Sequence, residues 1–208
     1  MKTIAFIGAG NMGGALARAA CRAIDPKEVV IYEPNAAAAA ALAEETGCIA
    51  AASGAEAVRA AKYVMLCVKP QVLPGVLGGL VPALKDGIAA GEHRVLVSIA
   101  AGVQLATLAG ILAAGGVELP TVRIMPNTPA SIGAGMILYC SSAEVTPAVQ
   151  AVFLQALSAA GRFCALPESL MDAGSALSGC GPAFVDLFVE ALADGGVACG
   201  LPRAQAQE

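Results

Sequence analysis

The stretch MKTIAFIGAGNMGGALARAA, Met1 to Ala20, decides the fold. Ile4, Phe6 and Ile7 suit a buried parallel strand, and Gly8, Gly10 and Gly13 stand at the G-x-G-x-x-G spacing where a strand passes into a helix. Each glycine has a separate task in that arrangement. Gly8 permits the turn, Gly10 lets the backbone approach a pyrophosphate, and Gly13 lets the helix pack closely on the strand. Unpaired N–H groups and the positive end of the helix dipole then face the phosphates, so anion binding there needs no basic side chain. With a strand before it and a helix after it, the motif predicts a dinucleotide-binding unit.

Outward from this stretch, strand and helix patterns alternate. Strands are expected at Val29 to Tyr32, Cys48 to Ala50, Tyr63 to Val68, Val95 to Ile99, Val122 to Met125 and Met136 to Tyr139. The first helix runs to about Ile24. Asn35 caps a second that opens with six alanines, Ala36 to Ala41, a run of the highest helix propensity. A short helix follows at Ala55 to Ala60, and another starts at Pro70 and runs toward Leu84. Such alternation implies right-handed crossovers and a parallel sheet covered on both faces. The expected fold class is α/β: a Rossmann-type doubly wound sheet over residues 1–164, then the beginning of an all-helical dimerisation domain over residues 165–208.

Composition narrows the function classes. A chain of 208 residues that is 57% hydrophobic buries a sizeable core. A net charge of -4 without a Lys/Arg cluster argues against nucleic acid as a partner. Seven cysteines form no C-x-x-C pair and the single histidine is His93, so metal-ligand spacing is missing and no metal is expected. The thiols read as reduced and the protein as cytoplasmic, with no signal peptide before the glycines. His93, between Glu92 and Arg94, reads as a solvated turn residue. Val95 to Val117 is 23 residues without a formal charge, nominally enough to span a bilayer. A β-branched strand, a turn at Ala100-Ala101-Gly102 and a helix closing on paired glycines explain it better, so no membrane is expected.

Glu33 ends the second strand, 20 residues beyond Gly13, where an acidic side chain accepts hydrogen bonds from an adenosine ribose and repels a 2′-phosphate. No Lys or Arg lies between Glu33 and Arg59, so of NADH and NADPH the sequence favours NADH. Three more segments follow strands: Cys67 to Pro70 (CVKP), Ser98 to Gly102 (SIAAG) and Met125 to Ala130 (MPNTPA). In a doubly wound sheet the ligand lies beyond the strand carboxyl ends, so all three should face the glycine loop. Alone, Lys69 reads as a surface lysine and Asn127 as a turn residue. Their shared position makes them candidates to line the site.

From Asp172 the strand signal stops. Ser178-Gly179-Cys180-Gly181-Pro182 reads as an interruption, after which Pro182 opens a helix with Phe184, Leu187, Phe188, Ala191 and Leu192 on one stripe. Little after Pro182 can cover that stripe, so it calls for another subunit or further chain. Leu201 to Glu208 opens one more helix, which reads as a truncated end.

With GAGNMG, VKP, SIAAGV, MPNTPA, ALSGCGPAF and EALADGGVACGLPR in this order, the chain resembles pyrroline-5-carboxylate reductase from Ile4 to its last residue. The resemblance implies reduction of the cyclic imine 1-pyrroline-5-carboxylate to L-proline with NAD(P)H, by a Rossmann domain followed by a helical domain that interleaves with its twin. A homodimer or higher homo-oligomer through the C-terminal helices is the implied assembly. By the match, Ile7, Gly8, Ala9, Gly10, Asn11, Met12, Gly13, Glu33, Cys67, Val68, Lys69, Pro70, Ile99, Ala100 and Ala101 line the cofactor. Lys69, Asn127, Ser178 and Cys180 are the site-lining candidates, and none is assigned a catalytic role.

The family often has SGSGPAY where this chain has SGCGPAF, so Cys180 stands for a serine and Phe184 for a tyrosine. Gly54 stands where some members carry asparagine, and the Ser-Pro-Gly-Gly-Thr loop of longer members is not in this sequence. Two other readings stay open. One is a non-catalytic dinucleotide-binding fragment. The other is a β-hydroxyacid-type dehydrogenase, which should carry a lysine that residues 163–208 lack.

Overall fold

The computed structural model describes every residue from Met1 to Glu208. Its centre is β1 (Lys2–Ile7), which passes into α1 (Asn11–Ala23). Then come β2 (Val29–Tyr32), α2 (Ala36–Thr46), β3 (Ile49–Ala50), α3 (Gly54–Ala60), β4 (Ala61–Leu66), α4 (Leu73–Ala89) and β5 (Val95–Ser98). Next are α5 (Leu105–Ala114), β6 (Thr121–Met125), β7 (Gly135–Ser141), α6 (Pro147–Ala156) and β8 (Gly161–Ala165). The chain closes with α7 (Met171–Ala198) and α8 (Arg203–Gln207).

One sheet holds all eight strands in the order β3-β2-β1-β4-β5-β6-β7-β8, and its first six reproduce the 3-2-1-4-5-6 order of a dinucleotide-binding fold. Side-chain alternation along β1 explains why both faces are covered. Ile4 and Phe6 join α1, α2 and α6 on one face, with Leu16, Ala20, Leu42 and Phe153. Ala5 and Ile7 join α3, α4 and α5 on the other, with Val58, Leu77, Leu84 and Leu108. The uncharged run from Val95 to Val117 resolves into β5 and α5. Asn35 caps α2 as expected, its side-chain oxygen accepting from the Ala38 amide at 3.2 Å.

Several expectations need correction. The sheet is not wholly parallel, because β6 and β7 pair antiparallel. Residues 126–134, which join them, are too few for a crossover, which takes a dozen or more. The helix expected from Pro70 begins at Leu73 and runs past Leu84 to Ala89. Backbone bonds from Val72 and Leu73 to the Lys69 carbonyl keep Lys69 and Pro70 in a turn. α6 and β8 were not read from the sequence. Nor does the Ser178 to Pro182 segment interrupt anything, since α7 is continuous from Met171 to Ala198 with Pro182 inside it. Proline costs one i→i−4 bond there, the one an amide at position 182 would give the Ser178 carbonyl.

The chain divides into two compact units, Met1–Met171 and Asp172–Glu208. The division falls later than residue 164 because β8 extends to Ala165 and the buried Met171 belongs to a cluster with Leu138 and Cys140. In the second unit α8 turns back on α7, where a side chain at Gly196 would meet Leu201 and Ala206, and Arg203 pairs with Asp194.

Tyr63 ties β4 to α6. It is fully buried, donates its hydroxyl to the Val149 carbonyl at 2.6 Å, and lies beside Phe153, which in turn meets Phe163 of β8 edge-on. Replacing Tyr63 with Phe keeps the ring contacts and removes this bond. Urea unfolding of Tyr63→Phe is expected to lose about 1–2 kcal/mol at unchanged slope, and no loss would mean that this bond carries no net stability.

Candidate active site

The glycine loop is built by two close approaches and one open face. Gly8 has φ +96°, a conformation that favours glycine, and a Cβ there would lie 2.7 Å from the Cys67 carbonyl oxygen. A Cβ on Gly13 would lie 2.3 Å from the Gly8 carbonyl oxygen and 2.8 Å from the Cβ of Cys67. Around Gly10 nothing comes within 4 Å of that position. Gly8 thus makes the turn and Gly13 the close packing that their spacing predicts, and the position beside Gly10 is open. No side chain caps α1 at Gly10, so the first amides of the helix remain available to an acceptor.

The neighbouring segments are stitched beside this loop by backbone bonds. Gly8 donates to the Tyr32 carbonyl at 2.8 Å, Cys67 to Ile7 at 2.8 Å, and Ile99 to Leu66 at 3.2 Å. Because β1, β2, β4, β5 and β6 run parallel, the segments that follow them, from Gly8, Glu33, Cys67, Ile99 and Pro126, share one edge of the sheet. Glu33 reaches across this edge. One carboxylate oxygen accepts from the Ala9 amide at 2.9 Å and the other from the Asn35 amide at 3.2 Å, which places the negative charge against the glycine loop.

The remaining candidates take different places. Lys69 is exposed in the turn after β4. Asn127 is buried, and its side-chain oxygen accepts from the Met136 amide at 2.9 Å, tying the MPNTP segment to β7. Burial pushes the Cys67 thiol up to about 12, so it packs as a neutral group and is no nucleophile at neutral pH. Ser178 and the exposed Cys180 lie on α7, in the second unit. His93 is exposed and precedes β5, at the end of the sheet opposite these loops. No three His, Cys, Asp or Glu side chains converge as a metal site would require.

Two residues escaped the sequence reading. Arg123, in the middle of β6, is 3% exposed, and its Nη1 pairs with Glu168 at 3.4 Å. The same carboxylate oxygen accepts from the Leu105 amide at 2.7 Å, at the start of α5. An arginine inside the strand TVRIM is a signal for a buried charge that needs a partner. Sequence alone does not say which carboxylate it finds.

Residues 3–102 match the family described as NADP oxidoreductase coenzyme F420-dependent, and residues 168–208 match the family described as pyrroline-5-carboxylate reductase dimerisation. The pyrroline-5-carboxylate reductase of Synechocystis sp. is 40% identical over 208 residues, which cover 99% of this chain and 73% of the relative. The chain belongs to the pyrroline-5-carboxylate reductase family. That of Escherichia coli is 38% identical over 207 residues, covering 99% of this chain and 74% of the relative. Among solved structures, a Plasmodium falciparum pyrroline carboxylate reductase with NADP bound superposes with a TM-score of 0.83 at 31% identity. It covers 99% of this chain and 73% of its own.

The contrast between two glycines is directly testable. Gly13→Ala drives a methyl into the fixed Gly8 carbonyl and is expected to cost about 2–3 kcal/mol in urea unfolding, as overpacking does. Gly10→Ala meets open space and is expected to cost under about 1 kcal/mol, the difference between the two residues at a helix N-cap. Equal losses would contradict the close approach described.

Proposed function

We propose that this chain reduces the cyclic imine 1-pyrroline-5-carboxylate to L-proline with NAD(P)H. The observation that carries the proposal is the identity of 40% with a pyrroline-5-carboxylate reductase across 99% of the chain. The geometry of the glycine loop supports it. Gly10 leaves space for a pyrophosphate, and the uncapped amides at the start of α1 suit its charge. NAD(P)H supplies the hydride when bound. Ile7 to Gly13, Glu33, Cys67 to Pro70 and Ile99 to Ala101 are the residues we assign to holding it.

The chain's own contribution is alignment. An iminium acceptor already carries its proton on nitrogen, so no strong general acid is needed, and orienting two rings is the larger task. That fits an edge where Lys69 and Asn127 stand without a His–Asp or Cys–His pair. The motif match alone assigns Ser178 and Cys180 to the substrate side.

Glu33 points to NADH over NADPH, since its carboxylate already sits against the Ala9 amide, where a 2′-phosphate would meet a like charge. We further infer a homodimer or higher homo-oligomer built through α7. Leu177, Phe184, Leu187, Phe188 and Leu192 are each more than half exposed, on a segment that matches the dimerisation family. Glu168–Ala198 is also long and apolar enough to cross a membrane by length and composition. The family match favours a protein partner for this face. Seven free cysteines fit a reducing compartment, which we take to be the cytoplasm, and the net charge of -4 fits no nucleic-acid partner.

The deciding experiment measures oxidation of NADH and of NADPH by the purified chain, with and without pyrroline-5-carboxylate, together with nucleotide binding by fluorescence. Imine-dependent oxidation is the expected outcome. Binding without oxidation would favour a non-catalytic dinucleotide-binding module, and absence of binding would reject the reading of the glycine loop. In the same assay, Glu33→Ser combined with Pro34→Arg is expected to raise the NADPH/NADH preference by about tenfold or more, the effect of ~1.4 kcal/mol. An unchanged ratio removes Glu33 from cofactor choice.

A further inference from the structure

The segment Ile99 to Gln104, between β5 and α5, is held at its two ends by different devices. At the near end the Ser98 hydroxyl accepts from the Ala100 amide at 3.2 Å, and the Val103 amide closes a turn on the Ala100 carbonyl at 3.3 Å. At the far end α5 begins without help from its own sequence. Its N-cap, Gln104, makes no side-chain cap bond, and its first turn contains no acidic residue. The missing acceptor comes from Glu168, 63 positions along the chain, whose Oε1 takes the Leu105 amide at 2.7 Å. A carboxylate there also meets the positive end of the helix dipole.

Glu168 is itself fixed from a second side. The side chain of Arg123 is 4% exposed, and a guanidinium so deeply placed needs a negative partner, which Glu168 provides at 3.4 Å. The carboxylate therefore joins β6 to the start of α5. It is carried by a short 3-10 turn, Glu168–Leu170, that leads into the fully buried Met171.

We propose that Glu168 is a positioning residue for the nicotinamide cofactor. By gripping the Leu105 amide while anchored on Arg123, it holds the Ile99–Gln104 segment in the shape that lines the cofactor. The proposal rests on the assignment of Ile99 to Ala101 to cofactor binding. It gives the segment that opens the dimerisation-matched region a task at the cofactor edge: supplying the cap that the loop's own helix lacks.

The test is the dissociation constant for NADH, read by fluorescence on the full chain, in four variants beside the wild type. Glu168→Ala removes the cap and is expected to weaken binding about tenfold, or ~1.4 kcal/mol. Glu168→Gln keeps one oxygen that the Leu105 amide and Arg123 can share, as they share Oε1 of Glu168, and is expected to stay within about threefold of wild type. Thr146→Ala removes the cap of α6, away from the loop, so it lowers stability and is expected to leave the constant unchanged. Ala101→Asp places a charge in the loop itself and is expected to abolish binding.

Weak binding by Glu168→Ala with rescue by Glu168→Gln supports the proposal. Wild-type affinity in Glu168→Ala while Ala101→Asp is impaired overturns it and leaves the loop assignment standing. Equal weakening by Thr146→Ala also overturns it, because stability alone would then explain the effect. Normal binding by Ala101→Asp rejects the loop assignment, and the proposal with it. Should Glu168→Ala not fold, Glu168→Asp replaces it. That variant keeps a charge for Arg123 but falls one methylene short of Leu105, so several-fold weaker binding supports the proposal and wild-type affinity overturns it.

Discussion

The approach of Gly13 to the Gly8 carbonyl is the constraint from which both core and site follow. With no Cβ between them, α1 starts directly off the end of β1 and lies close against the strand. That closeness lets Leu16, Ala17 and Ala20 of α1 reach the same cluster as Ile4 and Phe6. It also places the Ala9 amide where the Glu33 carboxylate can take it. A larger residue at position 13 would lift the helix and disturb both at once. In this loop the residues that hold the fold together are also ones assigned above to holding the cofactor.

Parallel strand order gathers further segments beside the anchored loop, along one edge of the sheet. Neighbouring parallel strands end at the same side, so segments distant in sequence arrive together without contacts designed for each pair. Glu33, Lys69, Ile99 and Asn127 reach the edge this way, and His93 is excluded from it because it precedes its strand. For a reaction whose electrophile arrives already activated, such an edge supplies what is needed: fixed positions and little acid–base apparatus.

The Rossmann half of the fold was legible because its signals are local. The glycine spacing, the β-branched runs and the Asn35 cap each depend on residues a few positions apart. What stayed hidden depends on distant partners. β8 has the modest sequence GRFCA and is a strand because β7 offers it a parallel ladder from Gly135 to Tyr139. Pro182 read as a break because one residue type was weighed without the length of helix on either side of it. Asn127 was legible as a residue of the strand-end edge, whereas its bond to the Met136 amide came only with the hairpin geometry. Glu168 was invisible for the same reason, since nothing near it in sequence needs a carboxylate.

The two margins of the sheet carry a consequence for assembly. β3 is two residues long, and β8 opens at Gly161, with φ +140°, before an exposed arginine, Arg162. Short or charged margins are poor templates for a strand from another molecule. The sheet is thereby closed to growth by strand addition, and lateral stacking into cross-β arrays is discouraged even though the chain is rich in apolar residues. The assembly proposed through α7 relies instead on helix packing, with its small set of preferred crossing angles.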